Sequence, residues 1–110
     1  MLNDDDLNRY ARQVIIPNSD ENGQERLLNT KCLIVGAGGL GCPVGLYASA
    51  AGFGYIEIWD DDIIEITNLN RQIAHKTNNI GFNKAENLAK ECIKINPNIT
   101  VRFESSNFDI

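Results

Sequence analysis

The residues Gly36-Ala37-Gly38-Gly39-Leu40-Gly41 form a G-x-G-x-x-G run, a spacing that lets backbone approach an anion with no side chain in the way. Gly36 is expected to turn the chain off a preceding strand, and Gly38 to clear room for phosphate oxygens. Gly41 would let the following helix pack close to the sheet. Asp60 stands 19 positions after Gly41, where the acid of a mononucleotide-binding βαβ unit hydrogen-bonds ribose hydroxyls. The run Asp60-Asp61-Asp62 could offer oxygen ligands to a divalent cation, but consecutive strand-end residues point to different sides. Asp60 is therefore reserved for ribose and Asp62 for a turn or supporting role. Arg71 and Lys84 add positive charge that a two-phosphate helix N-terminus does not need, unless the ligand is a triphosphate or develops an oxyanion. Arg71 could fork onto phosphate oxygens and Lys84 could act as a point charge, although each taken singly also fits ordinary surface charge. His75 is the only histidine. It is read as solvated or at a helix end, with no second histidine to build a metal or acid–base pair. Cys42 lies near a helix start, where a thiolate is favoured, but a small buried residue is the preferred reading.

Elements must hold these groups in place. Cys32-Leu33-Ile34-Val35 is a short apolar run suited to a strand buried on both faces. A helix should follow the glycines to about Ala51, with Leu40, Val44, Tyr47, Ala48 and Ala51 on one face. The small residues Gly45, Ala48, Ser49, Ala50 and Ala51 would let it lie close to the sheet. Gly52 and Gly54 close the turn into a second strand, Tyr55 to Trp59, parallel to the first by the right-handed crossover rule. Residues 60–81 lose periodicity. Their Ile63, Ile64, Ile66, Leu69 and Ile73 argue against disorder, and short helical turns packed on the mouth of the site are expected. A helix from about Asn83 to Ile95 should turn Ala85, Leu88, Ala89, Cys92 and Ile93 inward, and Ile99 to Phe103 reads as a third strand. Ahead of all this, residues 3–16 read as one amphipathic helix carrying Leu7, Tyr10, Ala11, Val14 and Ile15 on its apolar stripe. Asn3 or Asp4 would cap it, and Arg9 and Arg12 lie beside the stripe as solvated charges. A polar connection from Asn18 to Gly23 and a short helix from Gln24 to Leu28 follow. The fold class is α/β, a Rossmann-like parallel sheet with flanking helices.

At 110 residues the chain is one domain or part of one, with 1–29 as N-terminal helices and 30–110 as the nucleotide-binding portion. A hydrophobic content of 43% supports a core, and a net charge of −5 excludes nucleic-acid binding by bulk electrostatics. Cys32, Cys42 and Cys92 form no C-x-x-C pair, which fits reduced thiols and a cytoplasmic setting. No charged-and-apolar leader or apolar run near 20 residues points to secretion or a membrane. A three-stranded parallel fragment would leave a sheet edge and apolar surface open, so self-association or marginal stability is expected.

Taken in order, Arg9-Tyr10-Ala11-Arg12-Gln13, Gly23-Gln24-Glu25, Leu33 to Pro43, Asp60-Asp61-Asp62, Asn68-Leu69-Asn70-Arg71-Gln72 and Gly81-Phe82-Asn83-Lys84-Ala85-Glu86 resemble the opening half of the ThiF/MoeB family. These are relatives of the ubiquitin-activating E1 enzymes. The resemblance implies an adenylyltransferase that activates the C-terminal glycine carboxylate of a ubiquitin-like sulfur-carrier protein of the ThiS/MoaD type with ATP. It implies that Gly36, Gly38, Gly39 and Gly41 face the phosphates and that Asp60 holds the ribose. Asn68, Arg71 and Lys84 would position the triphosphate and stabilise charge at the α-phosphate. Arg12 would reach the partner's ATP across a homodimer interface, which reverses its reading as a solvated charge. The magnesium-associated aspartate of such proteins would lie beyond Ile110, as would the paired C-x-x-C motifs that bind zinc in many of them. The chain thus reads as an N-terminal portion with about half of an ATP site. Asp61 departs from the family pattern, standing where an apolar residue is more usual. A nicotinamide or flavin oxidoreductase domain is the alternative that the βαβ unit alone permits, and a non-catalytic nucleotide-binding fragment is another.

Overall fold

The structure, a computed structural model, describes residues 2–17 and 20–108. Three parallel strands, β1 (Lys31–Val35), β2 (Tyr55–Trp59) and β3 (Thr100–Glu104), lie side by side in that order. Cys32 pairs with Ile56 and then Val101, and Ile34 with Ile58 and then Phe103. Two helices make the crossovers. The helix Gly41–Ala51 links β1 to β2, and Lys84–Ile95 lies between β2 and β3. Numbered after three N-terminal helices, they are α4 and α5. Successive right-handed crossovers that progress in one direction place both helices on the same face of a sheet.

The core follows from that one-sidedness. Ile34, Ile56 and Ile58 project from the sheet against Cys42 and Ala48 of α4 and Ala85, Leu88, Ala89 and Cys92 of α5. Among the described residues no helix covers the opposite face, which corrects the expectation of a doubly buried first strand: Leu33 and Val35 are 47% and 59% exposed. Glu57 on that face accepts hydrogen bonds from the Tyr55 hydroxyl at 3.0 Å and Trp59 Nε1 at 2.8 Å. Those two donors, Trp59 first, hold its carboxyl below the usual carboxylate range.

The small side chains of α4 do bring it close to its neighbours, with Gly45, Ala48 and Ser49 buried. Its bulky face is turned outward, so Leu40, Val44 and Tyr47 are exposed. On α5 the inward set is Ala85, Leu88, Ala89 and Cys92, and Ile93 falls outside it. Asn83 caps α5 by accepting from Glu86 N at 2.9 Å, and Asn96 ends it.

The single N-terminal helix expected over residues 3–16 is two, α1 (Asp4–Arg9) and α2 (Ala11–Val14), broken at Tyr10. Burial explains the break. Tyr10 is sunk beneath the surface, and its hydroxyl accepts from Asn96 Nδ2 at 2.7 Å, so the chain bends to seat it. Ala11 and Ile15 of the expected stripe are exposed as a result. Asn3 and Asp6 form a reciprocal capping box on α1. The next helix, α3, covers Asp20–Leu28 and so takes in part of the expected connection, whose Asn18 and Ser19 lie outside the described residues. Gln13 and Gln24 both donate to Ala51 O at 2.9 Å, satisfying a carbonyl at the C-terminal end of α4.

The connection from Asp60 to Asn83 is ordered by two short 3₁₀ turns, Ile66–Asn68 and Thr77–Asn79. It closes on itself where Ile64 N donates to Phe82 O at 2.9 Å and Gly81 N to Ile64 O at 2.8 Å. Ile64 is its apolar anchor, while Ile63, Ile66 and Ile73 are exposed.

Candidate functional site

The glycine loop joins the end of β1 to the start of α4. Gly36 has φ +98°, a conformation costly for any residue with a Cβ, and its N–H donates to Trp59 O at 2.8 Å. At Gly41 a Cβ would fall 1.8 Å from Gly36 O, so only glycine lets the helix begin there. These are the turn and the close approach read from the spacing. Helix α4 starts with no side-chain cap; Cys42 N donates to Gly38 O at 3.0 Å, Val44 N to Leu40 O at 3.3 Å and Pro43 has no N–H, so Gly41 supplies the amide that the start of the helix offers to an anion. Gly38 and Gly39 form the floor. A Cβ at Gly38 would meet Gln72 Nε2 at 3.5 Å, and one at Gly39 would meet the Arg71 side chain at 3.8 Å.

Arg71 therefore lies across the loop at Gly39. Its Nη1 donates to Thr67 O at 3.1 Å and Asn70 Oδ1 at 3.0 Å, and the side chain is exposed. Lys84 enters from α5, almost wholly buried, with Nζ 3.3 Å from Asp62 Oδ2. Asp62 is held below the usual carboxylate range by the N–H of Ile63 and then by Lys84. Asp60 is tied to the loop itself: Oδ2 accepts from Ala37 N at 2.8 Å and Oδ1 from Asp62 N at 2.8 Å. Each of its oxygens keeps a second lone pair for another donor. Asn68 is buried and accepts from Glu65 N at 2.8 Å, bracing the 3₁₀ turn that precedes Arg71. The structure thus brings Asp60 and Arg71 onto the loop of Gly36, Gly38, Gly39 and Gly41, with Lys84 linked to it through Asp62 and Asp60, and Asn68 one turn behind.

Arg12 is not brought there. Its helix docks at the far end of α4, which at 1.5 Å per residue is about 16 Å from the glycine loop. The side chain is exposed. Among the described residues, no group of three or more histidine, cysteine or acidic side chains is arranged to hold a metal ion. No helix there is long and apolar enough to cross a membrane. A hollow lined by Asn79, Phe82, Glu86, Asn87 and Lys90 includes none of these site residues.

His75 corrects the sequence reading. It is only 3% exposed, with Nε2 2.7 Å from Ala37 O and 3.5 Å from Cys42 Sγ, and Nδ1 2.9 Å from Asn87 Nδ2. Burial pushes its pKa below the ordinary value of 6.5, and the same effect pushes the Cys42 thiol up, away from thiolate chemistry. Gln72 was also not singled out: its Oε1 is buried without a hydrogen-bond partner beside the loop. The two residues follow Arg71 closely in the chain, but their burial depends on helix α5 and the glycine loop.

Residues 10–109 match the model of the ThiF family. Adenylyltransferase and sulfurtransferase UBA4 of Scheffersomyces stipitis is 48% identical over 99 residues, covering 89% of this chain and 22% of that protein. The probable adenylyltransferase/sulfurtransferase MoeZ of Mycobacterium tuberculosis is 44% identical over 101 residues, covering 92% and 26%. Among solved structures, Escherichia coli MccB with ATP matches at a TM-score of 0.76 and 37% identity over 79% of this chain and 26% of that one. The chain spans about a quarter of the length of these relatives. Because the match runs from Tyr10 through helices α2 and α3, the glycine loop and the long connection alike, this chain belongs to the ThiF family of E1-like proteins.

Proposed function

We propose that this chain supplies the phosphate-binding half of an ATP site in an E1-like adenylyltransferase. The reaction would join the C-terminal glycine carboxylate of a ubiquitin-like sulfur carrier of the ThiS/MoaD type to the α-phosphate, with release of pyrophosphate. The observation that supports this reading is that Arg71 lies across Gly39 while Lys84 pairs with Asp62, whose backbone is bonded to the Asp60 that holds the loop. A dinucleotide leaves no phosphate beyond the loop for them to meet, whereas a triphosphate does.

The attacking carboxylate belongs to the carrier, so the chain needs no side-chain nucleophile. Its task is to position the phosphates and to offset the charge that grows at the α-phosphate. The loop amides from Gly38 to Gly41 receive phosphate oxygens, since those of Gly36, Ala37 and Cys42 are already bonded, and Asp60 can accept from a ribose hydroxyl with its remaining lone pairs. Arg71 is free to swing from Thr67 O and Asn70 onto phosphate as a fork, with Asn68 bracing the turn that carries it. Lys84, freed from Asp62, is the buried point charge.

Magnesium, when bound to ATP, would neutralise charge between phosphates. The described residues hold no group of three or more histidine, cysteine or acidic side chains that could bind a metal ion, and no step here is assigned to magnesium or to zinc. Arg12, exposed and remote from its own loop, suits the site of a second copy in a homodimer. The test is calorimetric titration of ATP into wild type, Arg71→Ala and Lys84→Ala. Each substitution should weaken binding by about 10- to 100-fold, the range for a lost hydrogen bond to a charged group. Unchanged affinity in both variants would remove the two cations from the site.

A further inference from the structure

Ala37, the second residue of the glycine loop, is gripped from both sides. Its N–H donates to Asp60 Oδ2 at 2.8 Å, and its carbonyl oxygen lies 2.7 Å from His75 Nε2. The proton positions follow from the partners. Asn87 Nδ2 is 3.0 Å from Ala74 O and 2.9 Å from His75 Nδ1. A backbone carbonyl can only accept, so the group of Asn87 that faces both atoms must be its NH₂. His75 Nδ1 is therefore the bare, accepting nitrogen and Nε2 carries the hydrogen that Ala37 O receives. The alternative tautomer would set two donors against each other at Nδ1 and two acceptors at Nε2. Both Asn87 and His75 are buried, so neither mismatch could be relieved by water.

The bond matters because of peptide geometry. In a planar trans peptide, the carbonyl of Ala37 and the N–H of Gly38 point in opposite directions. Fixing Ala37 O toward buried His75 therefore fixes Gly38 N–H on the side of the peptide away from His75. On its Gly38 side nothing resists rotation of this unit, since Gly38 has no Cβ. We propose that His75 is a positioning residue, held in its Nε2–H form by Asn87, and that it sets the Ala37–Gly38 peptide so that the Gly38 amide faces the ligand. Cys42, with Sγ 3.5 Å from the same carbonyl, is packing in this arrangement rather than a nucleophile.

Its bearing on nucleotide affinity rests on the ATP reading above; the orientation of the peptide does not. Two measurements separate them. First, nitrogen-15 NMR of the imidazole in the wild-type chain at neutral pH should show Nε2 protonated and Nδ1 bare, and a protonated Nδ1 would overturn the proposal without any variant. Second, His75→Gln keeps a donor at the Nε2 position, whereas His75→Asn places its amide at the Nδ1 position. Both lose packing and should lower the melting temperature. Only His75→Asn should shift the Gly38 amide resonance strongly and weaken ATP binding by about 10-fold, while His75→Gln stays within about 3-fold of wild type, as restoring one hydrogen bond would do. Equal losses in the two variants would mean that His75 merely fills space. A wild-type chain with the stated tautomer and Gly38 response that binds no ATP would uphold the clamp and reject the nucleotide reading.

Discussion

Lys84 and Arg71 carry the same charge but in different states. Lys84 is buried against one acidic partner, and Arg71 is open to solvent with its fork lightly held by a carbonyl and an amide. That difference suits a fixed charge and a mobile clamp. Both were legible in the sequence because a polyphosphate explanation follows from their residue types near a glycine loop. His75 was not, because its surroundings come from Ala37, Cys42 and Asn87, far apart in the chain, and no local pattern records their convergence. Its titration is testable. Burial lowers the imidazole pKa below 6.5 and the Lys84 charge acts with it. The Ala37 bond, Asp60 and Glu91 oppose without prevailing, and Cys42 is the remaining titratable neighbour. Because the unfolded chain takes up the proton first, this contribution to stability is full above pH 6.5 and is lost as the pH falls toward the depressed native value. Urea midpoints should therefore drop between pH 7.5 and about pH 5.5, above the range in which Asp62 and Glu57 titrate, and His75→Gln should flatten that drop. A wild-type midpoint that is level across this window would contradict the buried neutral histidine.

At the scale of elements, the β1–loop–α4 unit separates what glycine does for folding from what it does for binding. Gly41 has backbone 1.8 Å from where a Cβ would sit, so Gly41→Ala should cost more than about 3 kcal/mol and appear as a collapse of the melting temperature or of soluble yield. Gly39 has only the flexible Arg71 side chain at 3.8 Å, so Gly39→Ala should melt within a few degrees of wild type yet lose ATP affinity at least as much as Arg71→Ala. Circular dichroism and titration on the same preparations check both. If Gly39→Ala unfolds, or Gly41→Ala does not, the division is wrong. The order of elements was readable because strand, glycine loop, helix and strand each leave a local mark. What was misread depends on what lies outside an element. The bulky stripe of α4 faces out because its small residues pack inward, β1 has helices on one face only, and the N-terminal helix breaks so that Tyr10 can reach Asn96.

For the molecule as a whole, among the described residues one sheet face has no helical cover and both outer strands have a free edge. Leu33 and Val35 are exposed apolar residues of that face beside Tyr55 and Trp59, so the chain should self-associate as its concentration rises, and Leu33→Lys with Val35→Lys should shift sedimentation toward monomer. A wild-type chain that remains monomeric at all concentrations would show that this face is not sticky. The wider claim is that an acidic chain with a net charge of −5 has concentrated a backbone anion cradle and two cations at one loop mouth to receive a chain of phosphates. Side-by-side calorimetric titration of ATP and NAD into the wild-type chain tests it most directly. The account predicts tighter binding of ATP; equal or tighter binding of NAD, or no binding of either, would contradict it.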